Sequence, residues 1–129
     1  MIVDTSAIVA LSLEEPKMAW VRGTIADFPG EILRMSWVNI AEVEFALMRG
    51  NPLVRESTEG VLRHFGIEAL EANFEIIRLV ADARLKFPIN FGDCFAYAHA
   101  RLLNEPLITL DADFLKTDLP LVLHPDRAP

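Results

Sequence analysis

The chain has 129 residues, one cysteine and, with 19 acidic against 12 basic side chains, a formal net charge of −7. That length suits one ordinary domain with its own core, and 52% apolar with 24% charged residues excludes the low-hydrophobicity signature of disorder. No apolar run approaches the ~18 to 20 residues of a membrane-spanning helix, no basic segment precedes the first apolar stretch, and Cys94 alone can form neither an internal disulfide nor a cysteine pair for zinc, so the expected location is the cytoplasm.

Ile2-Val3 reads as a short buried strand, after which Thr5 or Ser6 can cap a helix starting near Ala7. Pro16, just behind Glu14 and Glu15, suits the first turn of a second helix that runs to about Phe28 and stops at Pro29-Gly30. "EILRMS" (31–36) reads as the second strand, and Trp37 to Arg49 as a helix closed by Gly50 at the position where a left-handed residue is common.

"PLVRESTEGVLRHF" (52–65) suits a helix up to Gly66, and "IEAL" (67–70) a third strand. From Glu71 to Phe87 the apolar positions 76, 80, 83 and 87 recur at helical spacing, and Pro88 ends the segment. A helix from about Gly92 to Leu103, a strand at "PLITL" and a last strand at "LVL" (121–123) complete the order β-α-α-β-α-α-β-α-α-β-β. Strands separated by helices imply right-handed crossovers, hence a three-layer α/β/α fold with a mainly parallel sheet. The expected domain spans 1–124, with 125–129 as a tail.

In such a sheet ligands bind beyond the carboxyl ends of the strands, which singles out certain acids. Asp4 follows the first strand directly, Asp111 follows "LITL" with Asp113 two residues on, and Asp93 opens a helix. Each has a plain structural reading: Asp4 as a helix cap, Asp93 as a first-turn acid, "DAD" as a turn. Glu42, among Val38, Phe45 and Ala46, projects from a helix face read as buried; Glu44, among Ile40, Ala41, Leu47 and Met48, does the same, and periodicity does not choose between them.

Convergence of three or four such carboxylates would have a consequence. At ~4 Å and an effective dielectric of about 20 each like-charged pair repels by roughly 4 kcal/mol, so either some are protonated or a cation lies between them. Hard oxygen ligands with no cysteine pair and no histidine at ligand spacing favour Mg²⁺ or Mn²⁺ over zinc, and acidic clusters of this kind serve phosphoryl transfer. The negative charge, which alone argues against a nucleic-acid binder, then weighs little. Nine of the twelve basic residues are scattered arginines suited to phosphate.

"MIVDTSAIVAL", "NIAEVEFAL" around Glu42, "INFGDCFAYAHA" around Asp93 and "PLITLDADF" around Asp111 together resemble the motifs of the PIN-domain ribonucleases, specifically the VapC toxins of bacterial toxin-antitoxin pairs, in order and spacing from residue 1 to about 118. The resemblance implies a PIN-like three-layer fold and an endoribonuclease dependent on Mg²⁺ or Mn²⁺, with a metal-activated water cutting RNA phosphodiesters. Its acid quartet falls on Asp4, Glu42, Asp93 and Asp111, selecting Glu42 over Glu44, with Asp113 as an alternative to Asp111 and with Ser6 and Thr109 as supporting hydroxyls. It further implies a VapB-type antitoxin partner that carries the DNA-binding part, a homodimer, and no operator DNA binding by this chain alone.

Two other function classes are open to the sequence. A phospho-acceptor signalling domain with an acidic Mg²⁺ pocket needs paired acids after its first strand and a lysine after a late strand, whereas Asp4 stands alone and Lys116 follows "DADFL". A catalytically inactive PIN-like interaction domain is the other, against which all four acid positions are filled. His64, His99 and His124 have no role in the resemblance; His99 reads as a helix-surface or satisfied core residue, Cys94 as buried packing, and Trp20 and Trp37 as core or interface.

Overall fold

The computed structural model describes residues 1–50 and 56–127. Five strands, β1 (Ile2–Val3), β2 (Arg34–Ser36), β3 (Glu68–Leu70), β4 (Leu107–Ile108) and β5 (Val122–Leu123), form one all-parallel sheet in the order β3-β2-β1-β4-β5. The helices are α1 (Thr5–Ser12), α2 (Met18–Ala26), α3 (Trp37–Arg49), α4 (Thr58–Phe65), α5 (Phe74–Lys86) and α6 (Phe91–Leu103).

Alternation along the strands splits the core in two. Met1, Val3 and Ile108 pack with Ala7, Ile8, Val21, Ile40, Val43, Leu47 and Val61 from α1 to α4. Ile2, Leu107 and Val122 face the opposite way, onto Ile76, Val80, Ala83, Ala96, Tyr97 and Ala100 of α5 and α6. Helices therefore cover both faces, and the expected three-layer α/β/α architecture is the one observed. Among the described residues no helix is long and apolar enough to cross a membrane.

The order β3-β2-β1-β4-β5 reverses direction beside β1: β2 lies on one side, β4 on the other. This is the switch point at which an open parallel sheet leaves a crevice beyond its carboxyl ends. Asp4 follows β1 at that edge, the segment 109–111 follows β4, and Ser36 ends β2 where α3 begins. Because α6 leads into β4, the start of α6 with Asp93 returns to the same edge.

Several boundaries differ from the sequence expectation, each for a local reason. Neither Thr5 nor Ser6 caps α1; Asp4 holds the N-cap position, yet its side chain makes no capping bond. Pro16 lies ahead of α2, in the turn after Glu14, whose φ of 52° carries the chain out of α1. The helix expected over 52–65 starts at Thr58, where the Ser57 hydroxyl accepts from Gly60 N at 3.0 Å; positions 52–55 lie outside the described residues. Asn73 caps α5 by accepting from Ile76 N at 2.9 Å, so Glu71 and Ala72 stay out of it. Gly50 ends α3 in extended backbone with φ −74° rather than left-handed.

"PLITL" pairs only through Leu107 and Ile108, and the "DADF" segment, read as a turn, continues into a 3-10 helix over Ala112–Lys116 anchored by the fully buried Phe114. At the end of the described chain Asp126 N donates to Nδ1 of the buried His124 at 3.0 Å.

Candidate active site

The apolar strand β1 carries Asp4 to the carboxyl edge of the sheet at the switch point. Asp4 is 2% exposed, and its Oδ2 accepts from the Ser6 hydroxyl at 2.7 Å and from the Thr109 hydroxyl at 2.9 Å. Both hydroxyls are themselves fixed: Ser6 Oγ accepts from Leu110 N and Thr109 Oγ1 accepts from Asp111 N, each at 2.9 Å. Ser6 and Thr109 thus lock the end of β1 to the end of β4 through one carboxylate oxygen. The other oxygen, Oδ1, is buried without a protein partner. Burial pushes the Asp4 carboxyl above its usual range and the nearby Glu42 charge adds to this, against the opposing effect of the Ser6 and Thr109 hydroxyls.

Glu42, on the second turn of α3, is held in the same way. Its Oε1 accepts from the Thr5 hydroxyl at 2.7 Å and from Asn39 Nδ2 at 2.8 Å. Its carboxylate lies over Gly92, where a Cβ would stand 2.3 Å from Oε2; the bare glycine backbone makes room for it. Glu44 points elsewhere, accepting from the Thr58 hydroxyl of α4. The reason read from periodicity does not hold, since Phe45 beside Glu42 is 60% exposed and the buried stripe of α3 is Asn39, Ile40, Val43 and Leu47. Glu42 flanks that stripe at the strand-end rim.

Asp93 sits in the first turn of α6, 6% exposed, with its backbone N–H donated to the Asn90 cap at 2.8 Å. Its carboxyl is pushed up to about 8 by burial first, then by the charges of Asp4 and Asp111 and a hydrogen bond with Asp111. Asp111 caps the 3-10 helix, its Oδ1 accepting from Asp113 N at 2.9 Å. Asp113 turns outward to Lys116, 3.2 Å away, with 46% of its side chain exposed. The structure therefore groups Asp4, Glu42, Asp93 and Asp111 at one edge, supports them with Ser6 and Thr109, and leaves Asp113 at the surface.

Among the described residues no three carboxylate, histidine or cysteine side chains are arranged so that they could hold a metal ion as they stand; the acids are electrostatic neighbours at one edge of the sheet. The fit to a divalent cation rests on other features. One oxygen of Asp4, Glu42 and Asp111 is taken up by protein donors; the Asp4 oxygen that remains is an orphaned buried acceptor; and the donors are all hard oxygens, which suit Mg²⁺ or Mn²⁺.

Sequence reasoning missed Thr5, Asn39, Asn90 and Gly92. Asn39, three residues before Glu42 on one helix, and the Asn90-to-Asp93 capping spacing were visible signals; the approach of Gly92 to Glu42 is tertiary and had none. Cys94 is fully buried, as expected. His99 is a core residue, 3% exposed, but not a satisfied one, since its Nε2 has no protein partner; burial pushes its pKa down. Trp37 is 55% exposed and so is no core residue.

The PIN domain family model matches residues 1–119. Ribonuclease VapC36 of Mycobacterium tuberculosis is 34% identical over 128 residues, covering 92% of this chain and 91% of the relative. Among solved structures, a toxin-antitoxin complex from Klebsiella pneumoniae aligns at a TM-score of 0.75 with 16% identity, covering 98% of each chain. VapC20 of Mycobacterium tuberculosis, described as a Sarcin-Ricin loop cleaving toxin, aligns at 0.75 with 14% identity over 92% of this chain and 95% of that one. These two likenesses show a common fold. With a family match over nearly its whole length and a curated relative of this identity, the chain belongs to the PIN-domain family, among the VapC ribonucleases.

Proposed function

We propose that the chain is the toxin of a type II toxin-antitoxin pair: an endoribonuclease that hydrolyses RNA phosphodiester bonds using Mg²⁺ or Mn²⁺ held by Asp4, Glu42, Asp93 and Asp111. The observation that carries this reading is the set of four carboxylates at the switch-point edge, with the buried Asp4 Oδ1 left over for a ligand. When bound, the cation supplies charge neutralisation at the phosphate and acidifies an attacking water. The protein's part is placement. Ser6 and Thr109 orient Asp4; Thr5 and Asn39 orient Glu42; the turn at 111–113 orients Asp111; and Asp93, at the start of α6, faces Asp4 and Asp111.

The partner follows from the relatives, some of which were solved as toxin-antitoxin complexes. A VapB-type antitoxin and a second copy of this chain would cover exposed apolar side chains such as Phe45, Met48, Phe74 and Leu85. The antitoxin would supply operator binding, since among the described residues no helix carries a cluster of basic side chains. Such a toxin acts in the cytoplasm. Incubating the purified chain with total RNA tests the reading: cleavage should require added Mg²⁺ or Mn²⁺, stop with EDTA, and stop again when the antitoxin is added. Cleavage that persists in EDTA would contradict the metal assignment, and absence of cleavage with either cation would contradict the activity.

A further inference from the structure

Asn39 is fully buried although it is a polar residue on the first turn of α3. Both amide N–H groups of its side chain are directed at the site. One amide N–H of Nδ2 goes to Glu42 Oε1 at 2.8 Å and the other to Gly92 O at 3.0 Å, while Oδ1 accepts from the Ser36 hydroxyl at 3.2 Å. Ser36 in turn caps α3 by accepting from Asn39 N at 3.2 Å. The side chain thus clasps three elements: the end of β2, α3, and the α6 turn that carries Asp93.

We infer that Asn39 is a positioning residue that sets Glu42 for cation binding and aligns α3 with α6 across the site. This inference rests on the reading of the four carboxylates as a cation site. Two donors, Asn39 Nδ2 and Thr5 Oγ1, converge on the same oxygen of Glu42. That oxygen is occupied, the carboxylate cannot rotate without breaking both bonds, and Oε2 is left over the bare backbone of Gly92. The clasp also explains why α3 uses Glu42 rather than Glu44: only the former is one helical turn from a buried donor that also reaches α6. A polar group this deeply buried, with both N–H donors spent on Glu42 and on the Gly92 carbonyl, has a role that an apolar residue of the same size does not fill.

The test measures Mn²⁺ binding by calorimetry or by loss of the free-ion EPR signal, in wild type, Asn39→Ala, Thr5→Val and Glu42→Ala, and in both double variants with Glu42→Ala. Supporting groups of this kind change metal affinity by roughly 10- to 100-fold. Asn39→Ala should weaken Mn²⁺ binding by that range, Thr5→Val by less, and neither should weaken it further once Glu42 is alanine. In RNA cleavage kcat should fall while KM holds. Asn39→Leu keeps the volume of the buried side chain while removing both N–H donors, so it is measured alongside and decides the matter if Asn39→Ala does not fold. Equal Mn²⁺ affinity in wild type and the Asn39 variant overturns the positioning role whatever Thr5→Val does, as does the same loss with and without Glu42. Wild type that binds no Mn²⁺ overturns the cation site itself, and the inference with it.

Discussion

Replacing Asp93 by asparagine should make the protein more stable while removing its activity. The Asp93 carboxyl is pushed up to about 8 from the usual 3.8. A raised acid is ionised in the unfolded chain above pH 4 but stays protonated in the folded one until pH approaches 8, so folding takes up a proton. Its contribution is fully present below pH 4 and is lost as pH rises through 8. At pH 7 the gap of about three pH units at 1.36 kcal/mol each sets an upper bound of about 4 kcal/mol, and sharing among Asp4, Asp93 and Asp111 leaves about 1–2 kcal/mol for the single replacement. Asparagine is 93's neutral near-isostere and can still donate to Asp111. For a chain of this size the Tm in EDTA at pH 7.5 should rise by roughly 3–10 °C, and the difference between variant and wild type should shrink as pH falls to 4.5. Thermal unfolding followed by circular dichroism across that range is the assay. A variant that is less stable than wild type by the same amount at both pH values would refute the electrostatic account of this site.

Four further outcomes follow from individual contacts. Gly92→Ala should cost about 1–3 kcal/mol, because its Cβ displaces the Glu42 carboxylate and leaves the buried Asn39 amide without that acceptor, and cleavage should fall at least about tenfold as that carboxylate leaves Asn39 and Thr5. Glu42→Gln should lose cleavage and Glu44→Gln retain it, measured on one RNA at saturating Mn²⁺. Asp111→Asn should impair cleavage and Asp113→Asn leave it near wild type, since only Asp113 is turned to solvent and Lys116. Phe114→Ala, which empties the fully buried anchor of the 3-10 helix, should cost about 3–5 kcal/mol in urea unfolding.

Much of this was legible because the signals were local. Strand β1 shows as an apolar pair ending on a charge, α5 as a periodic stripe ending at Pro88, and the parallel three-layer arrangement as alternation of the two element types. The acids were legible by position, as carboxylates placed where strands end. What the sequence did not carry was whatever depends on a partner distant in the chain. Asp4 occupies a cap position and does not cap, because the Thr109 hydroxyl, 105 residues away, and that of Ser6 offer it better bonds. Periodicity could not separate Glu42 from Glu44, since both flank the stripe; the choice is made by Asn39, Thr5 and Gly92 on one side and by Thr58 on the other. Helix starts at Thr58 and Phe74 were set by Ser57 and Asn73, short capping signals inside longer stretches that also suit a helix.

In the proposed metal-dependent ribonuclease site Asp4 has one oxygen saturated by Ser6 and Thr109 and the other left for a cation. Asp4→Asn is the sharpest test, since the change keeps the shape of the side chain while removing its charge and turning one acceptor oxygen into an NH2 donor that cannot ligate a cation. The variant should fold with wild-type circular dichroism, bind Mn²⁺ at least about tenfold more weakly and show no RNA cleavage above background. Full cleavage by Asp4→Asn at saturating Mg²⁺ or Mn²⁺ would contradict the account.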